Sequence, residues 1–260
     1  MNLKLSENAG GEIWGEMPGG PFEVLPVEAR AGLRQRMQVI RLRRGDQLFE
    51  IGDAADHFYC IRAGRLQVFR PGRGREQSFK IASGGDGVGH REVLQGGAYL
   101  HSVRALSDVT VCRLHREDLE SLLAEHPAFA RRLLSSVAAD WADSEEQTYN
   151  MGTRKITERL ADYLLKLHQP ARPAADASPA PGTEVDFFLT REMLATLLGT
   201  TTESVIRALS DFKSRGWIDL QRSKVTLKNE EELQRLVGDP MAERLRQAAG
   251  APVAQAAASG

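Results

Sequence analysis

Residues 190–213 constrain this chain more than any other stretch, because they pattern as two helices held by a tight turn. Thr190 has the chemistry of a helix N-cap, and Leu194, Leu197 and Leu198 after it share one apolar face. Gly199 then ends the helix, as a sharp turn requires. Thr200-Thr-Thr-Glu203 opens a second helix. Thr200 and Glu203 have capping-box spacing, and Thr201 is the alternative cap. In that helix Val205, Leu209 and Phe212 lie within about 60° of one another at about 100° per residue, so they face inward. Glu203, Ile206, Arg207 and Ser210 project to the other side. An exposed Glu and Arg one turn apart also suit an ordinary solvated face. The flanking order decides against that reading. A helix, a glycine turn, a three-threonine start and two short strands, Gly216-Trp-Ile-Asp-Leu220 and Lys224-Val-Thr-Leu227, make a winged helix-turn-helix.

That unit reads duplex DNA by known chemistry. Arginine offers two parallel donors to guanine O6 and N7, and glutamate accepts from cytosine N4. Arg207 and Glu203 are therefore the candidate base readers, placed to contact neighbouring base pairs and to orient each other. Thr201 and Thr202, at the helix start, suit a phosphate or a thymine methyl, and Ile206 and Ser210 complete the reading face. Lys213, Arg215, Arg222 and Lys224 suit phosphates. Between Phe187 and Lys228 seven Lys/Arg face four Asp/Glu, whereas the whole chain carries a net charge of −1. The basic surface is thus local, and a wholly basic nucleic-acid coat protein is excluded.

A chain of 260 residues suits two modest domains. Short strands spaced by glycine turns fill residues 22–127: Val39–Leu42, Gln47–Ile51, Phe58–Ile61, Leu66–Phe69, Ser78–Ile81, Val103–Leu106 and Val109–Leu114. Pro71–Arg75 reads as a hairpin tip, and the whole as a small barrel or roll. Residues 128–152 read as one helix. On it Leu134, Val137, Trp141, Ser144, Thr148 and Met151 recur at spacings of three and four, a heptad seam that predicts a homodimer. Ser144 and Thr148 soften the seam, so the contact is expected to be adjustable. Residues 153–237 hold the winged unit. Residues 169–184, rich in Pro and Ala, read as a linker, and residues 238–260 as a disordered tail. The N-terminal stretch lacks the pattern of a secretory signal and no apolar run reaches membrane length, so a cytoplasmic protein without membrane contact is expected.

Catalytic and metal sites are not expected. The sequence shows no nucleophile elbow, phosphate loop, His-x-His pair or metal-ligand spacing. Cys60 and Cys112 stand far apart in apolar runs and read as buried structural thiols. Two thiols are too few for an iron–sulfur cluster, which usually takes four.

These residues together resemble the CRP/FNR family of transcription regulators. Gly45-Asp46, Gly52-Asp53, Ala63-Gly64-Arg65 and Gly85-Asp86 stand at family-like positions, and Leu189–Phe212 matches the family's helix-turn-helix. The resemblance runs from Phe22 to Val237. It implies an α+β fold: a cupin-like, cyclic-nucleotide-binding-like β-roll, a long dimerisation helix and a C-terminal winged helix-turn-helix. It also implies a two-fold operator, with RNA polymerase as a partner where the protein activates. Glu203 and Arg207 match the family's base-reading pair. Thr202 replaces the further Arg of cyclic-AMP-type members, so the half-site is expected to be FNR-like and to contain TTG. Ile206 replaces a Ser often used by that branch.

The effector region departs from the family. Cyclic-nucleotide binders carry Gly-Glu-Leu and, about ten residues on, Arg-Ser/Thr-Ala, the Glu gripping ribose and the Arg phosphate. Here His90 and Arg91 stand near the Glu position and Tyr99 and Leu100 near the Arg-Ser position, in Val88–Ala105. With His101 and Arg104 these are the candidate pocket residues. They argue against cyclic AMP or GMP, and no effector is assigned. A haem-dependent nitric-oxide or carbon-monoxide sensor of the same family is the alternative, with His57, His90 and His101 as candidate axial ligands. A cyclic-nucleotide-binding signalling module without DNA contact is a weaker alternative, because the wing and Thr200–Lys213 stand against it.

Overall fold

Strand-forming residues between Gln38 and His115 build two sheets whose apolar faces meet. The structure, a computed structural model, describes residues 5–6, 20–168, 184–221 and 224–238. One sheet has the order β1 (Leu5–Ser6), β2 (Gln38–Leu42), β9 (Val109–His115), β4 (His57–Ala63), β7 (Gly87–Val88). The other has β3 (Gln47–Phe49), β8 (Ser102–Ala105), β5 (Leu66–Pro71), β6 (Glu76–Ala82). Ile40, Phe58, Ile61, Leu66, Val111 and Leu114 are buried between them. Apolar burial of this kind contributes about 1.5–3 kcal/mol per large side chain, and it sets the register, because a one-residue slip would turn every inward residue out.

Gly64 closes the β4–β5 turn at φ 88°. A Cβ there would stand 2.2 Å from the Asp108 carbonyl oxygen, so no other residue fits. The Pro71–Arg75 tip closes as its glycines suggest, with the Gly72 N–H donating to Arg75 O at 2.9 Å. The roll also holds helices that strand patterning alone does not show: α1 (Val27–Arg36), α2 (His90–Gln95) and α3 (Arg116–Glu125). They are short, and their apolar residues serve the same core as the strands, so helical periodicity has little length in which to appear.

Cys60 and Cys112 are direct partners across β4 and β9, both buried and both free. Burial raises the Cys60 thiol first and its Cys112 neighbour second, and burial pushes Cys112 up to about 11. Neither is a thiolate at neutral pH, which suits a packing role.

Pro127 opens α4 (Pro127–Thr153), where its missing N–H costs nothing. Phe129 and Leu133 anchor its first turns in the roll, Phe129 stacking on Phe22 at 5.4 Å. Beyond them the helix runs with little cover until Asn150. The helix ends at Thr153, where Arg154 takes an extended backbone, and α5 (Ile156–His168) follows. The C-terminal unit follows: β10 (Glu184–Asp186), α6 (Arg191–Leu197), α7 (Thr202–Ser214), β11 (Ile218–Gln221), β12 (Lys224–Leu227) and α8 (Glu230–Val237). The strands form one antiparallel sheet, β10-β12-β11. Leu160, Leu164, Leu194, Val205, Leu209, Phe212 and Leu233 make its core, and Leu106 and Ile81 of the roll pack into it. The linker at 169–183 and the tail beyond 238 lie outside the described residues.

Candidate nucleic-acid interface

The helix-turn-helix is set by local capping. The Thr190 hydroxyl accepts from Met193 N at 3.1 Å and starts α6. Gly199 takes φ 64° in the turn, and a Cβ there would stand 2.8 Å from Met151 Sδ of α4. Of the two caps open to α7, Thr201 is the one used: its hydroxyl accepts from Ser204 N at 3.3 Å. Loss of such a cap costs about 1 kcal/mol.

Helix α7 buries Val205, Ala208, Leu209 and Phe212 and exposes Glu203, Ile206, Arg207, Ser210 and Lys213, with Thr202 half-buried. Ile206 is 52% exposed and stands between Glu203 and Arg207 on this face. Arg207 has no hydrogen bond or ion pair among the described residues, so its guanidinium is free for an outside acceptor. Glu203 does not pair with it directly. The carboxylate is held below its ordinary pKa first by its own backbone N–H, then by the Thr201 hydroxyl, with the Arg207 charge a lesser cause. Lys213 Nζ donates to Leu220 O at 3.4 Å and lies 3.7 Å from Asp219, tying α7 to the wing. Arg215 pairs with Asp211 at 2.9 Å and lies over the Trp217 ring. Lys224 is exposed at the start of β12, and Arg222 lies outside the described residues.

The seam residues lie along α4. Leu134 is 65% exposed, Trp141 68% and Met151 39%; Ser144 and Thr148 are exposed and Val137 half-buried. Thr148 donates to its own helix, at Ser144 O, 2.9 Å away. Tyr149, also exposed, extends this surface; it sits one residue off the stripe and so escapes a heptad count.

Of the five candidate pocket residues, only Arg91 and His101 meet among the described residues, 3.4 Å apart. His90 Nε2 lies 3.5 Å from Asp140 of α4, and Lys80 donates to the same carboxylate. Burial lowers the His90 pKa first, partly opposed by the Asp140 charge. Arg91 pairs with Glu92 at 2.8 Å, and His101 approaches the same carboxylate at 3.5 Å. Burial alone would raise the Glu92 pKa, but the His101 contact, its own N–H and Arg91 together bring it down to about 2. Tyr99 is buried, stacked 3.8 Å from Phe49, and its hydroxyl donates to His57 O at 2.6 Å. Arg104 lies over Phe69 and is bound to Glu76 and Gln67. His57 stands edge-on to His115 at 5.2 Å. A tyrosine ring in the aromatic stack offers no charge to a phosphate, so these side chains do not fit a cyclic nucleotide. Among the described residues no cluster of three or more His, Cys, Asp or Glu could hold a metal, and no helix is long and apolar enough to cross a membrane.

Comparison with known proteins adds to this geometry. Residues 158–236 match a family model described as a Crp-like helix-turn-helix domain, and residues 39–126 match one described as a cyclic nucleotide-binding domain. The chain is 28% identical over 217 residues to the CRP-like cAMP-activated global transcriptional regulator of Mycobacterium tuberculosis, covering 83% of this chain and 95% of that one. It is 25% identical over 198 residues to the fumarate and nitrate reduction regulatory protein of Escherichia coli, covering 76% and 77%. Among solved structures, FixK2 from Bradyrhizobium japonicum superposes with a TM-score of 0.68 at 21% identity, covering 78% of this chain and 98% of that chain.

Proposed function

The chain belongs to the CRP/FNR family of DNA-binding transcription regulators, and from that premise we propose that it binds a two-fold, TTG-containing operator as a homodimer whose state is set through the β-roll. The observation that carries the reading is the face of α7: Glu203, Ile206, Arg207 and Ser210 stand exposed together, and Arg207 has no partner of its own among the described residues. Arg207 and Glu203 are the base readers. Ile206 adds an apolar contact of the kind thymine methyl groups take. Thr201 and Thr202 face the backbone at the helix start, and Lys213 and Lys224 hold phosphates from the wing side.

The dimer reading rests on the length of α4 left uncovered by its own roll. Leu134 and Trp141 are large apolar side chains in water unless a second copy covers them. A parallel pairing of two such helices sets two copies of α7 on one face, and half-sites one helical turn apart then follow. Sedimentation of Trp141→Glu is expected to give a monomer with sharply weakened operator binding. A dimer of parental stability would remove α4 as the seam.

Selection of bound DNA from genomic fragments tests the operator. Recovery of an inverted repeat with TTG half-sites is the expected result. Recovery of unrelated, non-palindromic sequence would overturn the reading.

A further inference from the structure

A cleft of about 490 Å³ opens where the outer face of the second roll sheet meets α6. Its volume falls in the range of about 300–1,000 Å³ that holds small-molecule ligands, and domain interfaces are where such sites gather. A chain of hydrogen bonds runs along it from one domain to the other. Arg104 donates to Glu76 and, at 2.9 Å, to Gln67 Oε1. Gln67 Nε2 donates to Ser78 Oγ at 2.8 Å. The Ser78 N–H donates to Thr196 Oγ1 at 3.3 Å, and the two hydroxyls lie 3.2 Å apart. Beside them Gln77 Nε2 donates to Thr196 O at 2.6 Å. Ser78 and Thr196, which join the two domains, therefore also line the cleft.

Two side chains in the cleft lack partners. Gln67 is not one of them: it is fully buried, accepts from Arg104 and donates to Ser78. Arg75, on the β5–β6 hairpin, and Glu192, on α6, line the cleft from opposite domains, and neither side chain is paired among the described residues. Acids and bases balance across the lining, Arg75 and Arg104 against Glu76 and Glu192, so a multiply charged anion such as a nucleotide meets no net positive field.

We propose that this cleft binds a small zwitterion of the free amino-acid type. The carboxylate pairs with Arg75, the ammonium faces Glu192, and the remainder lies along Met193 and Pro71. A ligand that touches both walls ties the helix-turn-helix to its own roll. It shifts the population of this arrangement by the ratio of its affinities for the alternatives, and operator DNA changes the ligand's affinity by the same factor. The site stands on the cleft alone; its regulatory consequence rests on the DNA-binding reading above.

Calorimetric titration of the full-length protein with the common free L-amino acids, one at a time, is the test. Saturable binding of at least one is expected, with no binding of its des-amino analogue. Glu192→Gln and Arg75→Gln change exposed side chains and so keep the fold; each is expected to weaken binding about tenfold or more. Failure of every amino acid to bind, or equal binding in both variants, overturns the site. Operator affinity is then measured with and without the bound amino acid. An unchanged operator affinity overturns the regulatory link while leaving the site, and a protein that binds no operator either with or without the amino acid overturns the DNA-binding reading instead.

Discussion

The reading face of α7 and the His90–His101 region of the β-roll treat their charges in opposite ways. On α7, Arg207 points out with no hydrogen bond or ion pair among the described residues, and Glu203 is held chiefly by its own helix start. In the roll, Lys80 and His90 share Asp140, and Arg91 and His101 share Glu92. Tyr99 is built into an aromatic stack. A surface that meets a partner keeps its hydrogen-bonding capacity unfilled. A region whose groups are satisfied by one another has little left for a ligand, and its residues hold the fold instead. This contrast explains how a chain with a strong helix-turn-helix pattern departs from the family at the nucleotide-gripping positions.

The contrast predicts that stability and DNA affinity separate under mutation. Tyr99→Ala is expected to have the largest effect, about 3–5 kcal/mol of folding stability by denaturant titration, because it empties a buried ring site. Arg207→Ala is expected to lower operator affinity by about 1–3 kcal/mol and relax base preference in fluorescence anisotropy, with stability changed by less than about 0.5 kcal/mol. If Arg207→Ala lost stability and kept its operator affinity, the two regions would not differ as described. Asp140→Asn leaves Lys80 and His90 without their shared carboxylate at a half-exposed position, and a loss of about 1 kcal/mol in thermal unfolding is expected. No change there would mean that apolar packing, not charge pairing, closes the space between roll and α4.

The smallest expected effect is in pH. The folded His90 pKa lies below its ordinary 6.5, so the unfolded chain binds the extra proton first as pH falls. Stability from His90 is full above about 6.5 and declines below it, and the half-buried His57, lowered first by burial, adds in the same sense. Glu92, held to about 2, contributes stability present above its ordinary 4.5 and lost as pH falls toward 2. Chemical denaturation across this range should show stability falling steadily on acidification. A flat profile between neutral pH and pH 5 would show that the roll charges titrate as in the unfolded chain.

How far sequence reading reached follows the distance over which each signal acts. The helix-turn-helix is written within two dozen residues: Thr190 and Thr201 cap, Gly199 turns, and Val205, Leu209 and Phe212 repeat at helical spacing, so local rules suffice. The strands of the roll and the α4 stripe were legible for the same reason. The site was legible only as residue types. Lys80 and Asp140 are 60 positions apart, and neither had a motif to mark it. Cys60 and Cys112 read as two separate buried thiols until β4 and β9 set them opposite each other. The junction of Ser78 with Thr196 spans 118 positions and depends on how one folded domain seats on another. What the sequence by itself determined is the DNA-reading unit, because capping, turn chemistry and periodicity act between near neighbours. What only the tertiary structure decided is which charges are already paired and where a cleft remains, because pairing and cavities arise from contacts that chain order does not encode locally.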